Sequence, residues 1–107
     1  MKAKILNDIL TDCKVLYGFD SNWELDNKIR KTVDVKRLFV YFCYKSGIAS
    51  ETKLSIFLDM NRPSLPYYIK TYYLIEIGLI NTLIGKWKPI LGLTNDDIDR
   101  LKEPFEL

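Results

Sequence analysis

Between Ala3 and Tyr17 the apolar positions Ile5, Leu6, Ile9, Leu10, Cys13, Leu16 and Tyr17 recur at helical spacing, with Asn7, Asp8, Thr11, Asp12 and Lys14 on the opposite side. The pattern predicts an amphipathic helix that ends at Gly18. Ser21-Asn22-Trp23-Glu24 has capping-box spacing and predicts a short helix or turn. A longer helix is predicted from Lys28 or Thr32 to Lys45, with Val35, Leu38, Phe39, Phe42 and Cys43 as its buried stripe and Gly47 as its stop. Ser50 reads as the N-cap of a short helix, with Glu51 in the first turn and Leu54, Phe57 and Leu58 facing inward. Asn61-Arg62-Pro63 breaks that helix, and Ser64 caps the next, whose first turn tolerates Pro66. That helix is predicted over 65–77, with Leu65, Tyr68, Ile69, Tyr72 and Ile75 on one face, Tyr67, Lys70, Thr71 and Leu74 on the other, and Gly78 as its end.

Beyond Gly78 the apolar runs shorten and the punctuation changes. Leu79 to Ile84, the pair Gly85-Lys86, and Trp87 to Thr94 read as two short strands about a turn, with Pro89 holding its strand to an edge. Thr94 followed by Asn95, Asp96 and Asp97 then caps a short final helix with Ile98 and Leu101 inward. The expected fold is one domain over residues 1–107, mainly α with a small β-hairpin. It comprises an N-terminal helix over 1–18 and a core over 28–103 that includes the closing helix.

Charge sharpens this picture by its distribution. The net charge of the 107-residue chain is only +2. Residues 28–70, however, carry nine Lys or Arg against three acids, while both flanks carry more acids than bases. A basic middle attracts polyanions more strongly than the total implies, although charge-rich helix faces are also simply solvated. Cys13 and Cys43 fall in apolar helical patterns and read as core thiols of a reduced intracellular protein. No stretch is apolar for long enough to span a bilayer, and the N-terminus has no signal-peptide form, so the expected compartment is the cytoplasm.

The composition also argues against catalysis. With no His, a general base would have to be a carboxylate or a shifted lysine. No glycine-rich phosphate loop and no Ser or Cys nucleophile motif occurs, and Asp96, Asp97 and Asp99 read as helix capping rather than metal ligation. The expectation is a protein that is not an enzyme, with no cofactor and no metal.

Two helices about a tight turn suit a helix-turn-helix. Ser50 to Thr94 resembles the winged helix-turn-helix of many bacterial and phage transcription regulators. The resemblance lies in Tyr73-Leu74-Ile75-Glu76-Ile77-Gly78-Leu79-Ile80, similar to the junction of recognition helix and first wing strand. It lies also in Ile90-Leu91-Gly92-Leu93-Thr94-Asn95-Asp96-Asp97, similar to the returning strand and its capped closing helix. Arg30 to Tyr73 also resembles the DNA-binding domain of the bacterial replication initiator. In that family a basic helix precedes a wingless helix-turn-helix, and Asn61-Arg62-Pro63-Ser64-Leu65 stands where it has a basic, acidic and His cluster. This chain lacks the acid–His pair and has Pro66 where an aliphatic residue is expected.

These resemblances imply duplex DNA binding by a small transcription or replication regulator, with a recognition helix at about 65–77 and a wing at about 79–94. Ser64, Tyr67, Lys70 and Thr71 would line the reading face. Asn61 and Arg62 stand at its entrance, where Arg62 would take a guanine edge or a phosphate. Lys53 on the preceding helix, and Lys86 and Lys88 flanking Trp87 at the wing tip, would meet the backbone. A homodimer through the N-terminal helix would read a palindromic site. The competing reading is a protein-interaction adaptor, bacterial or phage-encoded, that binds no DNA and uses Tyr67 and Leu74 in one patch with Trp87.

Overall fold

The computed structural model describes residues 2–20 and 30–105, so the predicted capping box at Ser21 to Glu24 lies outside the described residues. Among the described residues every regular element is helical. Six α-helices follow in order: α1 (Lys2–Leu16), α2 (Arg30–Lys45), α3 (Glu51–Phe57), α4 (Leu65–Lys70), α5 (Ile77–Leu91) and α6 (Asn95–Lys102). Single 3-10 turns stand at Arg62–Ser64, Tyr72–Leu74 and Glu103–Phe105.

The composition of α2 explains the architecture. Its centre, Leu38-Phe39-Val40-Tyr41-Phe42-Cys43, is apolar all round, and a helix of that kind has no face to give to water. All six of these residues are fully buried. The other helices therefore pack around α2, with α1, α4, α5 and α6 each in contact with it. Leu6, Ile9, Leu10 and Cys13 of α1 are buried in the same core, so the face on which a dimer through α1 would rest is occupied within the chain. On the far side the Tyr41 hydroxyl donates to the Leu101 carbonyl of α6 at 2.8 Å. Phe105 meets Tyr41 and Tyr72 edge-on at 5.6 and 5.4 Å between ring centroids.

The expected β-hairpin, and with it the winged fold, is corrected by α5. Residues 77–91 are a continuous helix, and Ile80, Leu83, Ile84 and Trp87 form its buried stripe. Those positions recur at intervals of three and four, the spacing of one helix face. Gly85-Lys86 and Pro89 suggested a turn and an edge strand, but neither interrupts the helix. Thr82 Oγ1 donates to the Gly78 carbonyl one turn back at 2.9 Å, a helical contact where a strand was expected. Pro89 stands in the last turn of α5, and Gly92 closes it in the left-handed conformation at φ 66°. Gly78, expected to end a helix, lies in the first turn of α5.

The helix predicted over 65–77 is also shorter than expected. It is α-helical only to Lys70, passes through Thr71 into the 3-10 turn at 72–74, and extends at Ile75 and Glu76 before α5 begins. The closing helix α6 starts at its Thr94 cap. Thr94 Oγ1 accepts from the Asp97 amide, and the Asp97 carboxylate accepts from the Thr94 amide, a reciprocal capping box.

Candidate nucleic-acid interface

Helix α3, the bend after it and α4 lie against α2, α4 in direct contact with it and Phe57 of α3 stacked on Phe39. Ser50 caps α3 by accepting the Lys53 amide at 3.2 Å. Leu58 ends the helix, and Asp59 takes φ 50°, the left-handed conformation that Asp adopts more readily than most side chains. The Met60 amide closes the bend on the Ser55 carbonyl at 3.0 Å. The backbone then enters the 3-10 turn Arg62–Ser64 and continues into α4, with Pro66 in the first turn as the sequence allows.

Burial sorts the side chains of this unit. Leu65 is fully buried and Tyr68 and Ile69 are half-buried, so α4 rests on the core through one side. Tyr67 and Lys70 of α4 are exposed, as are Asn61 and Ser64 in the turn before it and Lys53 on α3. Five of the nine sequence-predicted contact residues thus lie open on one supersecondary unit, and the backbone of Arg62 belongs to the same turn.

The remaining three are placed differently. The Thr71 hydroxyl donates to the Tyr67 carbonyl at 2.7 Å and accepts from Arg37 Nε at 2.8 Å, so both its hydrogen-bonding roles are taken inside the protein. Lys86 and Lys88 stand on α5 and not on a wing. The Lys86 ammonium pairs with the Asp12 carboxylate of α1 at 2.8 Å and lies 5.4 Å from the centre of the Trp87 ring. Trp87 is only 4% exposed, and its Nε1 donates to Asp12 Oδ2 at 2.9 Å. It therefore forms no surface patch with Tyr67 and Leu74.

Two cations of α2, Lys36 and Arg37, take up positions that the sequence reading left unassigned. Both sit among buried residues, 8% and 3% exposed. Lys36 lines a groove of about 940 Å³ whose other polar walls are Ser55, Asp59, Asn61, Ser64 and Tyr68. Burial pulls the Lys36 amine below the ordinary lysine range. Arg37 donates from Nη1 to Asp34 Oδ1 at 3.0 Å and from Nε to Thr71, and its guanidinium lies 5.9 Å from the centre of the Tyr67 ring. The clue to both was their place in the chain. Lys36 and Arg37 fall between Val35 and Leu38, at the start of the apolar centre of α2.

Electrostatics around this cluster follow from burial. The Tyr17 phenol is pushed up to about 12, first by burial and then by the nearby Asp34 carboxylate. The Tyr68 phenol is raised by burial, with Arg37 acting against the shift. Beyond the polar face lies an apolar surface, with Tyr67, Tyr73, Leu74 and Ile77 between 40% and 67% exposed. Among the described residues no group of three or more His, Cys, Asp or Glu is arranged to hold a metal ion, and no helix is long and apolar enough to cross a membrane. Compared with family models, with curated proteins and with solved structures, the chain matches none.

Proposed function

We propose that α3, its left-handed bend and α4 form a wingless helix-turn-helix that docks on duplex DNA. One observation carries the reading: α4 buries Leu65 against the core while its Tyr67 and Lys70, and Asn61 and Ser64 in the turn before it, stand exposed. A helix so mounted offers its N-terminal residues to base edges and leaves flanking cations for phosphates. Lys53 is exposed on the preceding helix, and Asn61 and Ser64 line one groove with Lys36. With no hairpin at 79–94, the resemblance that remains is that of Arg30 to Tyr73 to the wingless DNA-binding domain of the bacterial replication initiator, and the wholly helical elements among the described residues support it. The role that follows is a small replication or transcription regulator.

Salt dependence of binding to a random-sequence duplex tests this. Each neutralised phosphate contributes a slope of about −0.9 in log K against log salt. The expected outcome is steep salt dependence for the wild type, with the slope shallower by about one unit in Arg62→Ala and in Lys70→Ala. Absence of binding at low salt would remove the proposal.

The exposed Tyr73, Leu74 and Ile77 favour a second reading, a protein-interaction adaptor that uses this apolar surface as its anchor. In that case Leu74→Ser would abolish partner capture, and Lys70→Ala would leave it unchanged.

A further inference from the structure

Two of the contacts of Arg37 end on α4 or at its C-terminal cap, and a third, to Asp34, stays on α2. Its Nε donates to Thr71 Oγ1 at 2.8 Å, at the residue that caps the C-terminal end of α4. The same Thr71 hydroxyl passes the connection back to the Tyr67 carbonyl at 2.7 Å. The guanidinium then lies 5.9 Å from the Tyr67 ring centre, close enough for a cation–π contact. On its other side Nη1 is held by Asp34 at 3.0 Å. Only 4% of the Arg37 side chain is exposed, whereas Tyr67 is 54% exposed. The ring therefore covers the guanidinium and shows its other side to solvent.

We propose that Arg37 is a positioning residue, which fixes the exposed Tyr67 ring and the C-terminal end of α4 in the attitude in which they meet a duplex. It thereby sets sequence preference without touching the nucleic acid. The inference rests on the DNA-binding reading above. Its physical basis is the shape of the group. A guanidinium is a rigid planar fork that holds a hydroxyl, a carboxylate and a ring face at once, whereas an ammonium supplies the charge without that geometry. An aromatic ring already immobilised in the free protein loses less freedom on docking, so its contacts are felt in full. The enclosed guanidinium cannot reach a phosphate, which separates this role from the one proposed for Lys70 and Arg62.

The test uses the full chain and two duplexes, one selected by the wild type from a library with a random core and one of random sequence. Arg37→Lys keeps the charge beside Asp34 and removes the fork. The expected result is a loss of about three- to tenfold on the selected duplex, little change on the random one, and an unaltered salt slope. Tyr67→Ala, at a position 54% exposed, is expected to lose the same preference at a melting temperature close to that of the wild type. The double variant is expected to lose no more than either single one.

A shallower salt slope in Arg37→Lys would make Arg37 a phosphate contact and overturn the proposal. Equal weakening on both duplexes, in step with a lower melting temperature, would reduce its role to folding and overturn it too. So would wild-type preference in either single variant, or a wild type that selects no sequence. Wild type that binds no duplex at all would instead remove the underlying reading, and the inference with it.

Discussion

Asp12 receives two donors from α5, the Lys86 ammonium and the Trp87 indole, and so ties the first helix of the chain to the fifth. The Lys86 arm is exposed and contributes little, because an ion pair in water gains hardly more than it costs to order. The indole arm matters more, since a covered N–H without a partner is expensive. Asp12→Ala is expected to destabilise the fold by about 1–2 kcal/mol in urea unfolding, with Lys86→Ala well below that. Tyr41 presents a similar case in the core. Its hydroxyl is bound to the Leu101 carbonyl, and Tyr41→Phe leaves that acceptor buried and unpaired, again at about 1–2 kcal/mol. Thr32 is the opposite case. Its hydroxyl is fully covered and has no hydrogen-bond partner among the described residues. Thr32→Val keeps the shape and deletes the unsatisfied group, so unfolding measurements are expected to find it neutral or slightly stabilising.

At the scale of elements, α5 is where local signals and packing diverge. Gly85-Lys86 has the form of a hairpin turn and Pro89 that of an edge strand, and both are sound signals over a window of a few residues. The buried set Ile80, Leu83, Ile84 and Trp87 runs on through Gly85-Lys86 at helical period, and burying that stripe outweighs two poor helix formers, Gly85 within it and Pro89 in the last turn. The two architectures demand opposite behaviour of Gly85. In a hairpin turn it would need positive φ and resist replacement. In α5 it has no positive φ, and a Cβ there would meet nothing within 4 Å. Gly85→Ala is therefore expected to stabilise the protein by about 0.5–1 kcal/mol. A loss of stability would restore the hairpin. Gly92, at φ 66°, is the control, where the same substitution is expected to destabilise.

For the whole molecule, the core around α2 governs how the protein responds to pH. Cys13 and Cys43 are fully buried, and burial raises both thiols above the ordinary range. Burial raises the Tyr41 and Tyr17 phenols in the same direction. Each of these groups holds its proton more tightly folded than unfolded. Their contribution to stability is therefore complete below about pH 8.5, where unfolded thiols begin to ionise, and is lost as pH rises beyond it. The urea midpoint is expected to be flat near neutrality and to fall in alkali, the fall beginning near that pH and steepening as unfolded tyrosines ionise near pH 10. A thiol reagent at pH 8 is expected to modify neither cysteine until the protein unfolds, which checks the placement of α1 against α2 directly.

Sequence alone determined those elements whose signals are local and whose faces need no arbiter. The stripe of α1, the buried positions of α2 and the Ser50 and Thr94 caps were legible because caps and periodicity act within a turn or two of helix, whereas α3 ends at Phe57, before the expected break at Asn61-Arg62-Pro63. Of the expected reading face Ser64, Tyr67, Lys70 and Thr71, the first three are exposed and Thr71 is half-buried. Tertiary structure alone decided the rest. Whether residues 79–94 pair as strands or bury one helical stripe depends on the surface they are offered, and here α2 offers a core that a helix fills. Whether Thr71 and Lys86 face a ligand or a neighbour depends on Arg37, 34 residues away, and on Asp12, 74 residues away. These contacts join residues far apart in the chain, and no local window contains both partners. The energy that settles them comes from burial and pairing, which exist only once the chain has folded.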